Sequence, residues 1–295
     1  MRIHIKILFV IVLLGGASCG KEFLEKTPFN AYSTENFFEN EAQITQAVNA
    51  LYPAMRGFQT SELWKLGEFR TDNTTFIFNP SDRGAVAFES LDYFLAESNN
   101  GEFGKLWNGC YTFISRCHFV LENIDEATFD DEDLREERRA ETRFARAYYY
   151  MLLTRYFGKV PLIDRVILTE EESADIPRSP VADIYSQLIV PDLEFAIANL
   201  PDERKLAESG RASADAARMV LADAYFTQGD YAAALPLLRN IYESGRYALL
   251  ADYRSIMDPT DPYNEEIIFG VQHNADLGQG AGFYINWLAP NSGED

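Results

Sequence analysis

Histidine and cysteine are scarce in this 295-residue chain, with three of each. His4, His118 and His273 stand far apart, and no Cys/His group has the spacing of a metal site. There is no Gly-x-Ser-x-Gly elbow and no Walker A loop. Gly278-Gln279-Gly280-Ala281-Gly282 looks phosphate-binding, but no strand leads directly into it and no helix opens after it. No cofactor is implied. Basic residues are also few: 26 Lys and Arg stand against 46 Asp and Glu, a net charge of −20. Such a surface repels phosphate backbones and gives no polybasic grip on anionic lipid, which excludes nucleic acid and electrostatic membrane binding. After residue 14 no apolar run reaches the ~20 residues that span a bilayer.

Two cysteines, Cys110 and Cys117, fall seven apart within one predicted helix, roughly 10 Å along its axis. A disulfide needs Cα atoms within about 7 Å. Both are expected to be free thiols on an apolar face. Carboxylates are so abundant that no pair can be singled out as a glycosidase acid and base.

What is present begins at the N-terminus. Arg2 and Lys6 precede an apolar run, Ile7 to Leu14, and the small residues Gly15-Gly16-Ala17-Ser18 lead to Cys19. This order reads as a signal peptide over 1–18, with Cys19 as the lipid attachment site. Two or more acyl chains on one cysteine suffice for stable anchoring. Removing the signal leaves 24 basic against 46 acidic residues. Residues 19–32 read as a lipidated tether. Lipid is then the expected membrane contact.

The remainder, 33–295, is predicted to be one mainly α-helical domain. A helical rhythm runs from Ser33 to Pro53 through Phe37, Ile44, Val48 and Leu51. Residues 67–102 break it, polar and aromatic together, and are expected to form a long irregular loop. Helix returns over Phe103–Ile124, with Trp107 and Tyr111 on a stripe assigned to the core. Asp130 to Asp133 open another helix, which Gly158 ends before Pro161. Ile184–Leu200 is the next helix. Ser213 and Asp230 are expected to cap two more, the first running to Gly229 and the second over Tyr231–Ser244. Ala222, Tyr225, Gly229, Tyr231 and Ala234 alternate small and aromatic residues, as in a tetratricopeptide hairpin, so 136–245 reads as tetratricopeptide-like units. Arg246 stands where that pattern usually has proline. Residues 267–272 read as a short strand.

Four passages in order carry a family resemblance: Cys19 with Phe23-Leu24-Glu25-Lys26-Thr27-Pro28; Trp107-x-x-x-Tyr111-x-x-Ile114; Ala140-Glu141-Thr142-Arg143-Phe144-Ala145-Arg146-Ala147-Tyr148-Tyr149-Tyr150 with Tyr156-Phe157-Gly158-Lys159-Val160-Pro161-Leu162; and Arg211-Ala212-Ser213 with Asn264-Glu265-Glu266-Ile267-Ile268-Phe269. The chain resembles the SusD/RagB family of nutrient-binding outer-membrane lipoproteins. The resemblance implies a tetratricopeptide-like helical scaffold with irregular binding loops and no catalytic machinery. It further implies an outer-membrane position on the cell-surface face, an oligosaccharide or other nutrient ligand, and a TonB-dependent SusC-like transporter as partner. Family members run further past the Asn-Glu-Glu-Ile-Ile-Phe passage, so the chain is expected to be a fragment or a form lacking that later part.

Sugars are held by an aromatic face plus polar side chains. The candidates are Asp72, Asn73, Phe78 and Tyr93 in the loop, with Phe76, Asn79, Asn99 and Asn100 beside them, and Tyr284 and Trp287 in the tail with Asn286. Each of these residues could equally serve loop or core packing. The alternative function is a tetratricopeptide scaffold lipoprotein that binds other proteins.

Overall fold

The computed structural model describes residues 37–77, 86–203, 210–258, 260–274 and 277–278. The expectations for Cys19, the tether, Phe78, Asn79, Tyr284, Asn286 and Trp287 fall outside them.

Helices dominate. Asn40 accepts from Gln43 N–H and opens α1 (Glu41–Asn49). A break at Ala50 separates it from α2 (Leu51–Phe58), which passes through a π-helical stretch (Gln59–Leu63) into α3 (Trp64–Glu68). Pro53, expected to end a helix, sits instead in the first turn of α2, where no backbone N–H is needed. Then come α4 (Val86–Asp92), α5 (Gly101–Asn123) and α6 (Glu132–Phe157). Gly158, at φ +69°, terminates α6 in a conformation that suits glycine. A two-stranded antiparallel ribbon, β1 (Val160–Pro161) with β2 (Arg178–Ser179), closes a strap that carries α7 (Glu170–Ala174). Next follow α8 (Val181–Ile184), a second π-helical stretch (Tyr185–Ile189) and α9 (Val190–Asn199). Ser213 and Asp230 cap α10 (Ala214–Thr227) and α11 (Tyr231–Glu243) through Ala216 N–H and Ala233 N–H, as their sequence positions predict. Residues 267–272 form no strand. They run as an irregular segment whose Phe269 meets Phe144 of α6 edge-on at 5.5 Å.

The long helices stack in chain order: α5 on α6, α6 on α9, α9 on α10, α10 on α11. One continuous core runs through them, from Leu51 and Phe58 through Phe113, Phe144 and Tyr149 to Leu193 and Leu221. A smaller cluster of Ile44, Val48, Val120 and Ile124 seats α1. Phe113 and Tyr149 stack at 3.7 Å, and Cys110 and Cys117 are free and buried between these layers.

Of the four buried carboxylates among the described residues, Glu102 is paired with lysine and the other three are clasped by arginine. Glu141 accepts from Arg138 at 2.5 Å, from Arg211 at 2.8 Å and from the Tyr52 hydroxyl. Tyr52 in turn accepts from Ala212 N–H at 3.0 Å. Burial, then the neighbouring Glu141, push the Tyr52 hydroxyl well above its ordinary pKa, so it stays a donor. Asp192 of α9 takes a two-pronged grip from Arg146 of α6 at 2.8 and 2.9 Å. Asp215 of α10 is held by Arg218 at 2.6 Å and by Arg246 at 2.7 and 3.0 Å. The arginine found where a tetratricopeptide hairpin usually has proline is therefore a buried-charge partner.

Removing one member of such a pair strands the other. Arg146→Ala is expected to cost about 3–5 kcal/mol, and the double variant Arg146→Met/Asp192→Leu much less, because no buried carboxylate is left without its arginine and the remaining partner, Arg143, is partly solvent-exposed. Urea denaturation of the two variants measures the difference.

Candidate functional site

Residues 67–77 and 86–102 carry more regular structure than their polarity suggests. Beyond α3, Glu68 C=O accepts from Thr71 N–H at 3.0 Å and from the hydroxyls of Thr71 and Thr74 at 2.9 and 2.7 Å. That turn presents Asp72 and Asn73 to solvent. The segment was expected to be loop throughout, yet α4 occupies Val86–Asp92 and buries Leu91. The missed signal is Ala87, Phe88 and Leu91 at helical spacing inside a run too short for its period to stand out. Asp92 at its end accepts from Thr75 hydroxyl at 3.1 Å and Phe76 N–H at 3.0 Å, which ties the two halves of the segment together.

Directly after Asp92 the chain exposes Tyr93, Phe94 and Leu95, at 52, 65 and 72%. Phe94 adopts φ +56°, the left-handed region that a bulky side chain enters at a cost of roughly 1–2 kcal/mol. The ring is thus held at the surface rather than in the core. Arg70 lies 5.4 Å from that ring. Asn100, a candidate ligand from sequence, is committed otherwise. Its oxygen caps α5 through Glu102 N–H at 2.9 Å, and its amide donates to Ala87 C=O and Ser90 at 3.0 Å each.

A cleft of about 370 Å³ opens at the base of the segment, lined by Leu66, Arg70, Ser98, Phe103, Tyr156 and Phe157. A second cleft, of about 390 Å³, lies further along α5 beneath the strap, against Trp107, Tyr111, His118, Ile163, Arg165 and Ile176. Phe103, Trp107 and Tyr111 recur every four residues, so they share one face of α5. Trp107 and Tyr111 were assigned to the core and are instead half-buried. The core face of α5 is carried by Leu106, Cys110, Phe113, Ile114 and Cys117, and the aromatic stripe borders it. Phe157 lines the first cleft and meets Trp107 edge-on at 5.1 Å.

Hydrogen bonds fix the strap over this stripe. Tyr111 hydroxyl donates to Pro161 C=O at 2.8 Å. Tyr150 hydroxyl both donates to Ile163 C=O and accepts from Ile163 N–H, at 2.9 Å each. His118 Nε2 lies 3.0 Å from Ile163 C=O, and Nδ1 lies 3.4 Å from the Arg146 guanidinium. A carbonyl only accepts and a guanidinium only donates, so the neutral tautomer protonated on Nε2 satisfies both. Burial first, and the Arg146 charge second, push the His118 pKa down to about 4. Among the described residues no group of His, Cys, Asp and Glu is placed to hold a metal ion.

Helices stacked in chain order and carrying an irregular, aromatic-bearing surface segment define a helical-repeat scaffold. A family model described as "Starch-binding associating with outer membrane" matches residues 22–226, and the chain belongs to this SusD-like family. SusD-like protein P25 of Formosa agariphila is 27% identical over 284 residues, covering 94% of this chain and 53% of its own length. A crystal structure of a SusD-like protein from Bacteroides fragilis is 26% identical with a TM-score of 0.71, over 87% of this chain and 49% of that one. A laminarin-binding SusD-like protein is 26% identical with a TM-score of 0.69, over 78% of this chain and 51% of that one. The chain thus spans about half the length of the relatives it matches.

His118 gives the site a pH signature. Its folded pKa lies below the ordinary value near 6.5, so the unfolded chain binds the extra proton first as pH falls. The neutral ring's stabilisation is complete above about pH 6.5 and is lost towards pH 4, by about 3 kcal/mol. Urea midpoints followed from pH 7 to pH 4 are expected to fall further for the native chain than for His118→Gln.

Proposed function

We propose that this chain is the glycan-binding portion of a lipid-anchored outer-membrane protein, with its site on the 67–102 segment. One observation carries the reading: in a family described as starch-binding, a tied-down surface segment projects Tyr93 and the strained Phe94 beside an open cleft. Aromatic faces pack against the C–H surface of a sugar ring, and Asp72 and Asn73 supply partners for its hydroxyls. Phe78, Tyr284 and Trp287 are assigned to the same ligand. The surface is rich in carboxylates, so a neutral oligosaccharide fits it better than an acidic one. The laminarin-binding relative supports that class. Binding, without catalysis, is the whole of the activity. The partner is a TonB-dependent SusC-like transporter that takes up what this protein captures. Cys19 carries the lipid, on the cell-surface face of the outer membrane.

Affinity electrophoresis of the purified chain in gels containing soluble neutral glycans tests the site. Retardation by at least one glycan is expected, with Tyr93→Ala/Phe94→Asn weakening it about tenfold; asparagine tolerates the left-handed backbone, so the fold survives. Undiminished retardation would place the site elsewhere. The anchor has its own test. Cells expressing the full chain are expected to incorporate labelled palmitate into it, Cys19→Ser to abolish that label, and protease added to intact cells to digest the protein. A labelled but protected protein would contradict the surface assignment.

A further inference from the structure

Two clefts of nearly equal size lie along α5, and their polar groups are used differently. Beneath the strap, four polar side chains serve the fold. Tyr111 donates to Pro161 C=O, His118 sits between Ile163 C=O and Arg146, Arg165 donates to Glu172 at 2.9 Å, and the Ser173 hydroxyl donates to Glu170 C=O at 2.7 Å. At the base of the 67–102 segment the reverse holds. Leu66, Phe103 and Phe157 form the inner wall of that cleft, and Arg70, Ser98 and Tyr156 stand at its more exposed edge. Among the described residues none of these three polar side chains has a hydrogen-bond partner. The fold therefore leaves a guanidinium and two hydroxyls unspent at one cleft.

A guanidinium presents five N–H donors, and each hydroxyl both donates and accepts. Set beside two aromatic rings, they match a sugar unit, which has an apolar C–H face and a polar edge of hydroxyls. At about 370 Å³ the cleft is near the small end of the ~300–1,000 Å³ range of ligand pockets, with room for a sugar unit or two rather than a long chain. Arg70 also joins it to the outer platform, since its guanidinium lies 5.4 Å from the Phe94 ring. The backbone beneath that ring is tied down. Phe94 N–H donates to Leu91 C=O at 3.2 Å and Leu95 N–H to Ser90 C=O at 2.8 Å, the bond pair that ends a helix on a left-handed residue, usually glycine. We infer that this cleft is a sugar subsite, in which Arg70, Ser98 and Tyr156 hydrogen-bond the hydroxyls of one unit of a neutral glycan while neighbouring units pass over Tyr93 and Phe94. The inference rests on the glycan-binding reading above and adds to it the residues that grip the hydroxyls.

Affinity electrophoresis of the full chain in gels containing laminarin, soluble starch or galactomannan tests it. Ser98→Ala/Tyr156→Phe is expected to weaken retardation about tenfold, and Arg70→Gln to weaken it about as much. Urea midpoints of these variants are expected to match that of the native chain, because no hydrogen bond within the fold is removed. Arg165→Gln, in the strap cleft, is expected to leave retardation unchanged. Retardation that survives the cleft substitutions but is weakened by Tyr93→Ala/Phe94→Asn would overturn the subsite and leave the outer platform standing. Failure of every gel to retard the native chain would overturn the glycan-binding reading itself, and the subsite with it.

Discussion

A carboxylate without water around it must find cations, and in this fold that requirement decides which helices meet. Glu141 and Arg146 sit five residues apart on α6 and reach in different directions: Glu141 to Arg211 and Tyr52, Arg146 to Asp192 and His118. One helix thereby fixes α2, the start of α10, α9 and the strap. Apolar packing supplies most of the driving force but is tolerant of small slides. Charged clasps at hydrogen-bonding distance are not, because half a broken pair is worse than none.

The same pairs give physical content to the passages on which the family resemblance rests. Ala140 to Tyr150 and Arg211-Ala212-Ser213 are separated by sixty residues of chain. In space they share one network: Arg211 reaches Glu141, Ala212 donates to Tyr52, and Ser213 caps the helix that follows. Tyr156 to Leu162 leads into the strap, and Tyr111, Tyr150 and His118 hold its carbonyls.

Much of the scaffold was legible because its determinants are local. Ser213, Asp230 and Gly158 act on the helix beside them, and the spacing of Cys110 and Cys117 alone ruled out a bond between them. What escaped depends on distant partners. Nothing near Arg246 announces Asp215, and nothing near Trp107 announces that the strap leaves it half-open. The segment 267–272 has a strand's composition but, among the described residues, no neighbouring strand to pair with, and Phe269 packs on α6 instead. At the proposed site, Tyr93, Asp72 and Asn73 could be nominated by residue type alone. Phe94 was not, since its significance lies in a backbone angle that composition does not reveal, and Asn100 was misread because capping consumes the groups a sugar would need.

The two buried thiols have a bearing on how the protein withstands its surroundings. Burial pushes Cys110 up to about 12 and raises Cys117 as well, so neither forms an appreciable thiolate near neutral pH. Thiolate is the species that oxidants and disulfides attack. Between Cys110 and Cys117 the folded core therefore holds no disulfide for a reductant to break, and neither thiol is a ready nucleophile for an oxidant.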